Sequence, residues 1–547
     1  MSRGSYQGRF LRVNLTTGNF KAEIIPEEVM LNYVGGRGFG VKYLYDEMTP
    51  RIDPLSPQNK LLLLTGPLCG TAASGCSKWI VVTKSPATGG FFRSIGGGKW
   101  GPKLKSAGYD FIILEGKAEK PSYLYIEDNQ VEVLDADWLW GLDTEETQER
   151  IRKRHGEKTQ SVCIGPAGEK QVLYAAIVSD RRTASRGGVG TVMGSKNLKA
   201  IAVNGSGKTD IFYSEKFREL VRHQIKIVKA SPLWELLKER GIACSVKKHY
   251  HDRSQSPVRN FRETVFEGIE KLFPEEYYKF KIKSYACWGC MTQCGKIRKV
   301  EDGPYKGAIS DGPEYEGGAV LGPLIGNSDI SFTIAGDALC DLLGIDVIST
   351  GVCIAFACEL YERGIITKED TDGLDLTWGN HPAFYTLIEK IGKRDGFGKL
   401  LGEGVMRAAK QIGKGAERYA MHVKGIELPA YEPRAIKGYA LSYAISNIGG
   451  SHMYARPFAE VNLDVDPASE DLWKSEEIIK EQKRIAIWDC ALICPFAQAG
   501  IQPFGNESEA LHFKLLAAAT GFEQFSNYDY LAKVAERVIT LERAFNI

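Results

Sequence analysis

Apolar and polar positions alternate along the first two hundred or so residues. Residues 9–15 alternate, Thr16-Thr17-Gly18-Asn19 has turn chemistry and residues 20–25 alternate again, which predicts an N-terminal hairpin. The same reading predicts strands at 61–65, 79–84, 111–115, 123–127, 131–134, 172–178 and 200–204. Between them stand glycine clusters, Gly35-Gly36-Arg37-Gly38, Gly96-Gly97-Gly98 and Arg186-Gly187-Gly188-Val189-Gly190. After Gly205-Ser206-Gly207 the helical period takes over, and helices are predicted at 215–228, 330–343, 351–363, 383–393, 397–412 and 527–545. Ser526 and Asp529 have the spacing of a capping box for the last of these. Strands followed by helices predict an α+β protein, with a β-rich domain over 1–207 and two mainly helical domains over 208–423 and 424–547. A short strand-like stretch and two prolines near 423–433 suggest the second boundary.

Composition narrows the function classes. A chain of 547 residues, 43% hydrophobic and 25% charged, has the make-up of a folded globular protein with a large core. Seventy basic side chains against 68 acidic ones leave +2, which is no general field for nucleic acid or an anionic membrane. No apolar run approaches the ~18 residues that cross a bilayer, and the first residues carry no secretory h-region, so a cytoplasmic protein is expected. Twelve cysteines in such a chain point to metal or redox work rather than a disulfide framework.

Cysteine spacing is the most specific chemical signal. Cys287-Trp-Gly-Cys290-Met-Thr-Gln-Cys294 directs three thiolates at one compact centre, and Cys490 or Cys494 of Asp489-Cys-Ala-Leu-Ile-Cys494-Pro495 can close the set. Iron–sulfur clusters are commonly held this way, and the proline after Cys494 matches the Cys-Pro ending of ferredoxin ligands. A four-cysteine zinc site is the alternative, although such sites usually pair two C-x2-C knuckles. The order C-x2-C-x3-C reverses that of radical-SAM enzymes.

Two stretches have the chemistry of anion cradles. Ser185–Lys199 combines close glycines with Arg186, Lys196 and Lys199, and Arg93-Ser-Ile-Gly96-Gly97-Gly98-Lys99 repeats the theme, which suits a polyphosphorylated or doubled ligand. In the helical part, Asp341-Leu-Leu-Gly344-Ile345-Asp346 and Asp489-Cys-Ala-Leu492-Ile493-Cys494 share one pattern. Each aspartate would present a carboxylate at a helix end, able to accept from the N–H groups of a heterocycle.

These residues resemble the tungsten-containing aldehyde:ferredoxin oxidoreductases over almost the whole chain. The resemblance rests on Gly8-Arg-Phe-Leu-Arg-Val-Asn-Leu-Thr-Thr-Gly18, Gly66-Pro-Leu, Val82-Thr-Lys-Ser-Pro86, Ala107-Gly-Tyr-Asp110 and Arg186-Gly-Gly-Val-Gly190. It continues through Val192-Met-Gly-Ser-Lys-Asn-Leu-Lys-Ala200, Gly312-Pro-Glu-Tyr-Glu316, Leu428-Pro-Ala-Tyr431 and Glu542-Arg-Ala-Phe545. It implies a tungsten bis-molybdopterin (tungstopterin) with no protein ligand to the metal, covered by the β-rich domain. Asp341, Gly344, Ile345 and Asp346, with Asp489 and Ile493, would be the two pterin motifs. Arg93, Gly96, Gly97, Arg182, Arg186, Gly187 and Gly188 would hold the pterin phosphates through Mg2+. Cys287, Cys290, Cys294 and Cys494 would hold a [4Fe–4S] cluster, with Lys78, in place of the usual arginine, between cluster and pterin.

The catalytic residues implied are Glu316 as general base and His452 in Gly449-Gly-Ser-His452, with Tyr315 and Tyr431 lining the pocket and Glu314 behind them. The expected reaction is oxidation of an aldehyde to a carboxylic acid, or its reverse, with ferredoxin or a small iron–sulfur subunit as electron partner. An anaerobic enzyme is expected, as a homo-oligomer or in a heteromeric complex. Two alternatives stand beside it: the tungsten subunit of a class II benzoyl-CoA reductase, and an iron–sulfur electron carrier with a degenerate pterin site. The chain departs from the family at Leu492, where glycine is usual and the backbone is expected to differ. It departs again at Ala335, which replaces a glutamate bridging the archaeal dimer.

Overall fold

The computed structural model describes residues 4–462, 464–498 and 507–547. Its first layer is a six-stranded sheet made of β1 (Arg9–Asn14), β2 (Phe20–Ile24), β3 (Leu61–Thr65), β4 (Trp79–Lys84), β5 (Phe91–Gly96) and β6 (Phe111–Glu115), in the order β2-β1-β6-β3-β4-β5. A second sheet of six follows: β7 (Ser122–Glu127), β8 (Gln130–Asp135), β9 (Gln160–Cys163), β10 (Ile177–Ser179), β11 (Arg182–Ala184) and β12 (Leu198–Asn204). Its order is β11-β10-β9-β12-β7-β8. Read from the hairpin edge, the two orders are the same. In each half the first strand pairs antiparallel with the second and parallel with the sixth, the sixth pairs with the third, and the fourth and fifth follow outward. The β-rich domain is thus one topology used twice, a relation that carries no short sequence repeat.

Strand alternation places Leu11, Val13, Leu63 and Val81 of the first sheet against Leu124, Ile126, Ile201 and Val203 of the second. The opposite face of the first sheet, with Phe10, Leu62, Leu64, Ile80 and Val82, packs on Ile485, Trp488, Leu531, Val534 and Val538 of the last helices. That double cover explains why Leu61–Thr65 is buried throughout and reads as an unbroken apolar run. A separate core fills the helical part around the helices Ile330–Leu343, Val347–Glu362 and His381–Lys393.

Several local expectations change in the folded chain. The strand expected at 172–178 is confined to Ile177–Ser179. Leu173, Ala176 and Tyr174 bond instead to Gly402, Gly344 and Asp346 of the helical part, so their apolar run is interdomain burial rather than sheet. The helix expected over 397–412 breaks into Phe397–Leu401 and Val405–Ile412, where Gly404 takes a left-handed φ of 80°. The final helix, Tyr528–Asn546, is capped by the Asn527 side chain, which accepts from Asp529 and Tyr530, and not by Ser526.

The glycines at 35–38 open a helix, Gly36–Glu47. A side chain at Gly36 would stand 2.4 Å from the Asp489 carbonyl, and one at Gly38 3.2 Å from the Cys490 sulfur. The cluster is therefore the surface on which the second aspartate motif rests.

Both aspartate motifs end helices in the same way. Asp341 and Asp489 lie in the last turns of Ile330–Leu343 and Trp473–Ala491, and Gly344 (φ 70°, ψ 50°) and Leu492 (φ 54°, ψ 44°) are left-handed C-caps. The backbone at Leu492 accordingly repeats the glycine motif instead of departing from it. Leu492 is 1% exposed, so packing holds a conformation that its Cβ disfavours. Leu492→Gly would relieve strain of about 1–2 kcal/mol but empty a site worth about 2–5 kcal/mol. A lower melting temperature is expected, and a higher one would mean that strain outweighs packing.

Candidate active site

The duplicated topology delivers two arginines from equivalent places. Arg93 lies on β5, and Arg186 follows β11, the fifth strand of the second half. An Arg93 Nη is 2.7 Å from Asp489 and donates to the Met453 carbonyl at 2.9 Å. Arg186 stands 3.5 Å from Asp346 and donates to the carbonyls of Glu427 and Gly450 at 2.6 and 3.0 Å. Each arginine thus ties one aspartate motif to the loop that carries His452.

Behind Asp489, the fully buried Arg37 donates twice to Glu542, at 2.6 and 2.8 Å, and reaches Asp489 at 3.3 Å. Arg37→Met would strand the buried Glu542 carboxylate at a cost of about 3–5 kcal/mol. A large fall in melting temperature is expected, and an unchanged one would mean that Asn447 and Tyr454, which also donate to Glu542, suffice to hold it.

A cavity of about 330 Å³ lies between the domains, lined among others by Lys78, Arg93, Gly97, Arg182, Arg186, Asp311, Glu316, Asp341, Asp346, His452, Asp489 and Ile493. Cys287, Cys294 and Cys494 share that lining. Buried atoms without hydrogen-bond partners gather here: Arg93 Nε, Arg182 Nε and one Nη, Arg186 Nη1, Asp346 Oδ1, Asp311 Oδ2 and Glu316 Oε1. An unsatisfied buried polar group costs about 1–3 kcal/mol. Such a set fits a ligand with anionic oxygens for the guanidiniums and N–H donors for the carboxylates, which is the chemistry of a pterin phosphate.

Glu316 and His452 face each other in this wall. The helix Tyr315–Val320 carries Glu316, whose Oε2 accepts from the Ala430 N–H at 2.8 Å. Its Oε1 lies 3.6 Å from His452 Nδ1, too far for a hydrogen bond, so both groups remain available to a substrate. Burial pushes the Glu316 carboxyl up to about 7, against the pull of the Ala430 N–H and Arg186. Burial, then Arg456 and Arg186, hold His452 well below its ordinary value, so it is the neutral imidazole.

Tyr315 stands elsewhere than expected. Its hydroxyl bonds the Ala430 carbonyl at 2.5 Å and Ser256, and its ring packs 5.1 Å from Tyr431 and 4.9 Å from His249. It braces the segment that holds Glu316 and is absent from the cavity lining, because its phenol points into the helical core.

The thiols gather at one end of the cavity. Cys494 N–H donates to Gly75, Cys287 Sγ accepts from the Gly98 N–H at 3.2 Å, and the Cys290 thiol lies in the field of Cys494 and Cys287. Cys490 is buried on the other side against Gly38, its thiol pushed up to about 12 by burial. Among the described residues no three His, Cys, Asp or Glu side chains are arranged to hold a single metal ion. Lys78 lies beside these cysteines. Burial works against its charge, yet Cys494 and Cys287 outweigh that and hold it above its ordinary value.

The glycine cradles serve packing. A Cβ at Gly96 would enter the Trp79 indole, one at Gly187 the Phe92 ring and one at Gly188 the Leu173 carbonyl, all within 2.4 Å. Gly97 abuts Cys287 Sγ and lines the cavity beside Arg182, so its turn stands where the thiols meet the cavity. Lys196 donates to the carbonyls of Asn59 and Gly116, and Lys199 bonds Glu169, so neither faces a ligand. Gly344 and Ile345 bond through their backbones to Ala176 and Cys340 and lie outside the cavity lining.

Sequence reasoning passed over Asp337 and Arg37. Asp337 lines the cavity, gripped between Gly312 and Gly317, and burial pushes it up to about 7. The glycines around each residue were the available signal.

A cavity lined by both basic and acidic side chains that joins a carboxylate–imidazole pair to clustered thiols is the equipment of an oxidoreductase, and comparison with known proteins narrows the class. Residues 10–205 match the model of the aldehyde ferredoxin oxidoreductase N-terminal domain, and residues 219–547 that of its domains 2 and 3. The chain belongs to the aldehyde ferredoxin oxidoreductase family. It is 41% identical to the tungsten-containing aldehyde ferredoxin oxidoreductase of Pyrococcus furiosus, over 99% of this chain and 88% of that protein. It is 39% identical to the WOR-like subunit of an aliphatic sulfonate oxidoreductase from the same organism, over 98% of this chain and 86% of that one. Among solved structures, the BamBC active-site complex of benzoyl coenzyme A reductase matches with a TM-score of 0.83 and 28% identity. That match covers all of this chain and 89% of the other. Among the described residues no helix is long and apolar enough to cross a membrane.

Proposed function

We propose that this protein oxidises an aldehyde to the carboxylic acid with water, and passes the electrons through a [4Fe–4S] cluster to ferredoxin or a small iron–sulfur subunit. The facing of Glu316 and His452 in the wall of a charged cavity that reaches Cys287, Cys294 and Cys494 carries this reading. Arg93, Arg182 and Arg186 would hold pterin phosphates, and Asp341, Asp346 and Asp489 would accept from pterin N–H groups. Mg2+ would sit mainly among phosphates and water, as that ion prefers. A tungsten or molybdenum bis-pterin supplies two-electron oxidation when bound.

The chain's own groups supply the proton work. Aldehyde plus water yields acid, two electrons and two protons. Glu316 takes a proton from the attacking water, and its carboxyl near 7 suits that task at neutral pH. Neutral His452 donates its ring N–H to the carbonyl oxygen as negative charge develops there. Cys287, Cys290, Cys294 and Cys494 would ligate the cluster, with the Gly98 N–H on the Cys287 sulfur tuning its potential.

The test is anaerobic purification from a tungsten-supplied host, with metal and pterin counts and an aldehyde-dependent dye reduction. About one tungsten and four irons per chain are expected. Because the base must be ionised, kcat/KM should rise with pH through about 7, where Glu316 titrates. Four irons without tungsten, molybdenum or pterin would instead leave an electron carrier.

A further inference from the structure

The aspartate that Arg186 holds also makes a deeper contact, away from the cavity. Ser349 Oγ lies 2.7 Å from Asp346 Oδ2 and 2.8 Å from Glu427 Oε2, so one hydroxyl stands between two carboxyl groups. Asp346, Ser349 and Glu427 are all buried. A serine hydroxyl has a single proton to donate. It can satisfy one carboxylate, and the other short contact is a hydrogen bond only if that carboxyl brings a proton of its own. Two buried like charges this close are also costly, which favours one neutral carboxyl. The trio therefore holds one proton besides that of the serine.

The surroundings decide where that proton rests. Asp346 caps the helix Val347–Glu362, accepts from the Ser349 N–H at 3.0 Å and has the Arg186 guanidinium 3.5 Å away, all of which favour its anion. Glu427 Oε1 accepts only from the Val405 N–H, at 3.0 Å, and its carboxyl makes no ion pair among the described residues. Arg186 meets Glu427 through the backbone carbonyl, and Arg407 turns to the carbonyls of Pro86 and Ala87. Of the other groups that face Glu427, Tyr174 and Cys353 are kept protonated by burial, and burial holds its cross-strand neighbour His422 below the ordinary value. Burial likewise pushes the Glu427 carboxyl up, against the pull of Ser349, Arg186 and the Val405 N–H. Glu427 is thus the acid and Asp346 the anion. Asp346 lines the cavity, and its Oδ1 is buried without a partner.

We propose that Asp346, Ser349 and Glu427 form a one-proton relay that balances charge in the cavity, with Glu427 a positioning residue that acts on Asp346 through Ser349. When electrons enter the cavity, the Glu427 Oε2–H bond breaks as that proton passes to Ser349 Oγ, and the Ser349 proton passes to Asp346 Oδ2. Glu427 becomes the anion and Asp346 the acid, so negative charge leaves the cavity wall without a proton from solvent. When the electrons depart, both protons return, and nothing within the relay is oxidised or reduced. The shared proton follows from the contacts, whereas its use in turnover rests on the aldehyde reading.

The test is infrared spectroscopy of the carboxylic-acid carbonyl region on anaerobic holoenzyme at about pH 6.5, well above the ordinary glutamate value of about 4.3. Wild type minus Glu427→Gln should show an acid band. In Asp346→Asn that band should titrate away about one pH unit lower or more, because no neighbouring anion then holds the proton in place. With an aldehyde as substrate, kcat should fall about tenfold in Glu427→Gln and in Ser349→Ala, the effect of one uncompensated charge about 10 Å away at an effective dielectric constant of about 20. KM should stay within about twofold, well under that tenfold effect, and Ser349→Thr, which keeps the hydroxyl, should restore the rate. Identical wild-type and Glu427→Gln spectra would mean that Glu427 rests as the anion and would overturn the proposal. A band that titrates unchanged in Asp346→Asn, or a kcat that Ser349→Ala leaves intact, would do the same. If no aldehyde is oxidised while the band and its shift are found, the aldehyde reading fails and the shared proton stands.

Discussion

Glu316→Gln should reduce aldehyde oxidation by about 10²- to 10⁴-fold in kcat, the range contributed by a positioned general base. The amide has the volume of the acid and still offers an oxygen to the Ala430 N–H, so the helix Tyr315–Val320 keeps its place. What is lost is the ability to take a proton. Stability should move the other way. Burial raises the folded carboxyl from its usual value to about 7, so its contribution to stability is complete below the usual value and is lost as pH rises through about 7. At pH 8 the neutral amide escapes that loss, and Glu316→Gln should melt no lower than wild type. Retention of more than a third of wild-type kcat, with metal content intact, would remove Glu316 from the role of base.

The second large effect separates two neighbouring cysteines. Cys494→Ala should lower bound iron well below four per chain and abolish dye reduction, because a cysteine-held cluster loses one of its four ligands. Cys490→Ala should keep its iron, since that thiol is buried against Gly38 and only a small cavity results. Iron and tungsten counts with an electron paramagnetic resonance spectrum of the reduced protein decide the matter. Equal iron in both variants would mean that the cluster is not closed by Cys494, and zinc without iron in wild type would replace the cluster with a structural ion.

Local patterns made much of this architecture legible. The strands Leu61–Thr65, Trp79–Lys84 and Phe111–Glu115 and the helix Ile330–Leu343 stand where periodicity places them, because one buried face imposes its period on neighbouring residues. Where burial comes from several sides at once the period is lost, as in the segment before Ile177, whose partners are Gly402, Gly344 and Asp346. The Leu492 cap shows a related limit. A left-handed residue is read from glycine, and here packing supplies what sequence rules would deny.

The sequence by itself determined the succession of strands and helices, the run of cysteines at 287–294 and the twin aspartate motifs, because each depends on spacing within a few turns of chain. Tertiary structure alone decided the rest. It revealed that the two sheets share one topology and bring Arg93 and Arg186 to Asp489 and Asp346 from equivalent strands. It turned Gly96, Gly187 and Gly188 from cradles into contact surfaces, and it moved Tyr315 from the cavity to its support. It also set Glu316 near neutrality. The physical reason is that close approach, desolvation and ion pairing depend on partners hundreds of residues away, which only the folded chain brings within reach.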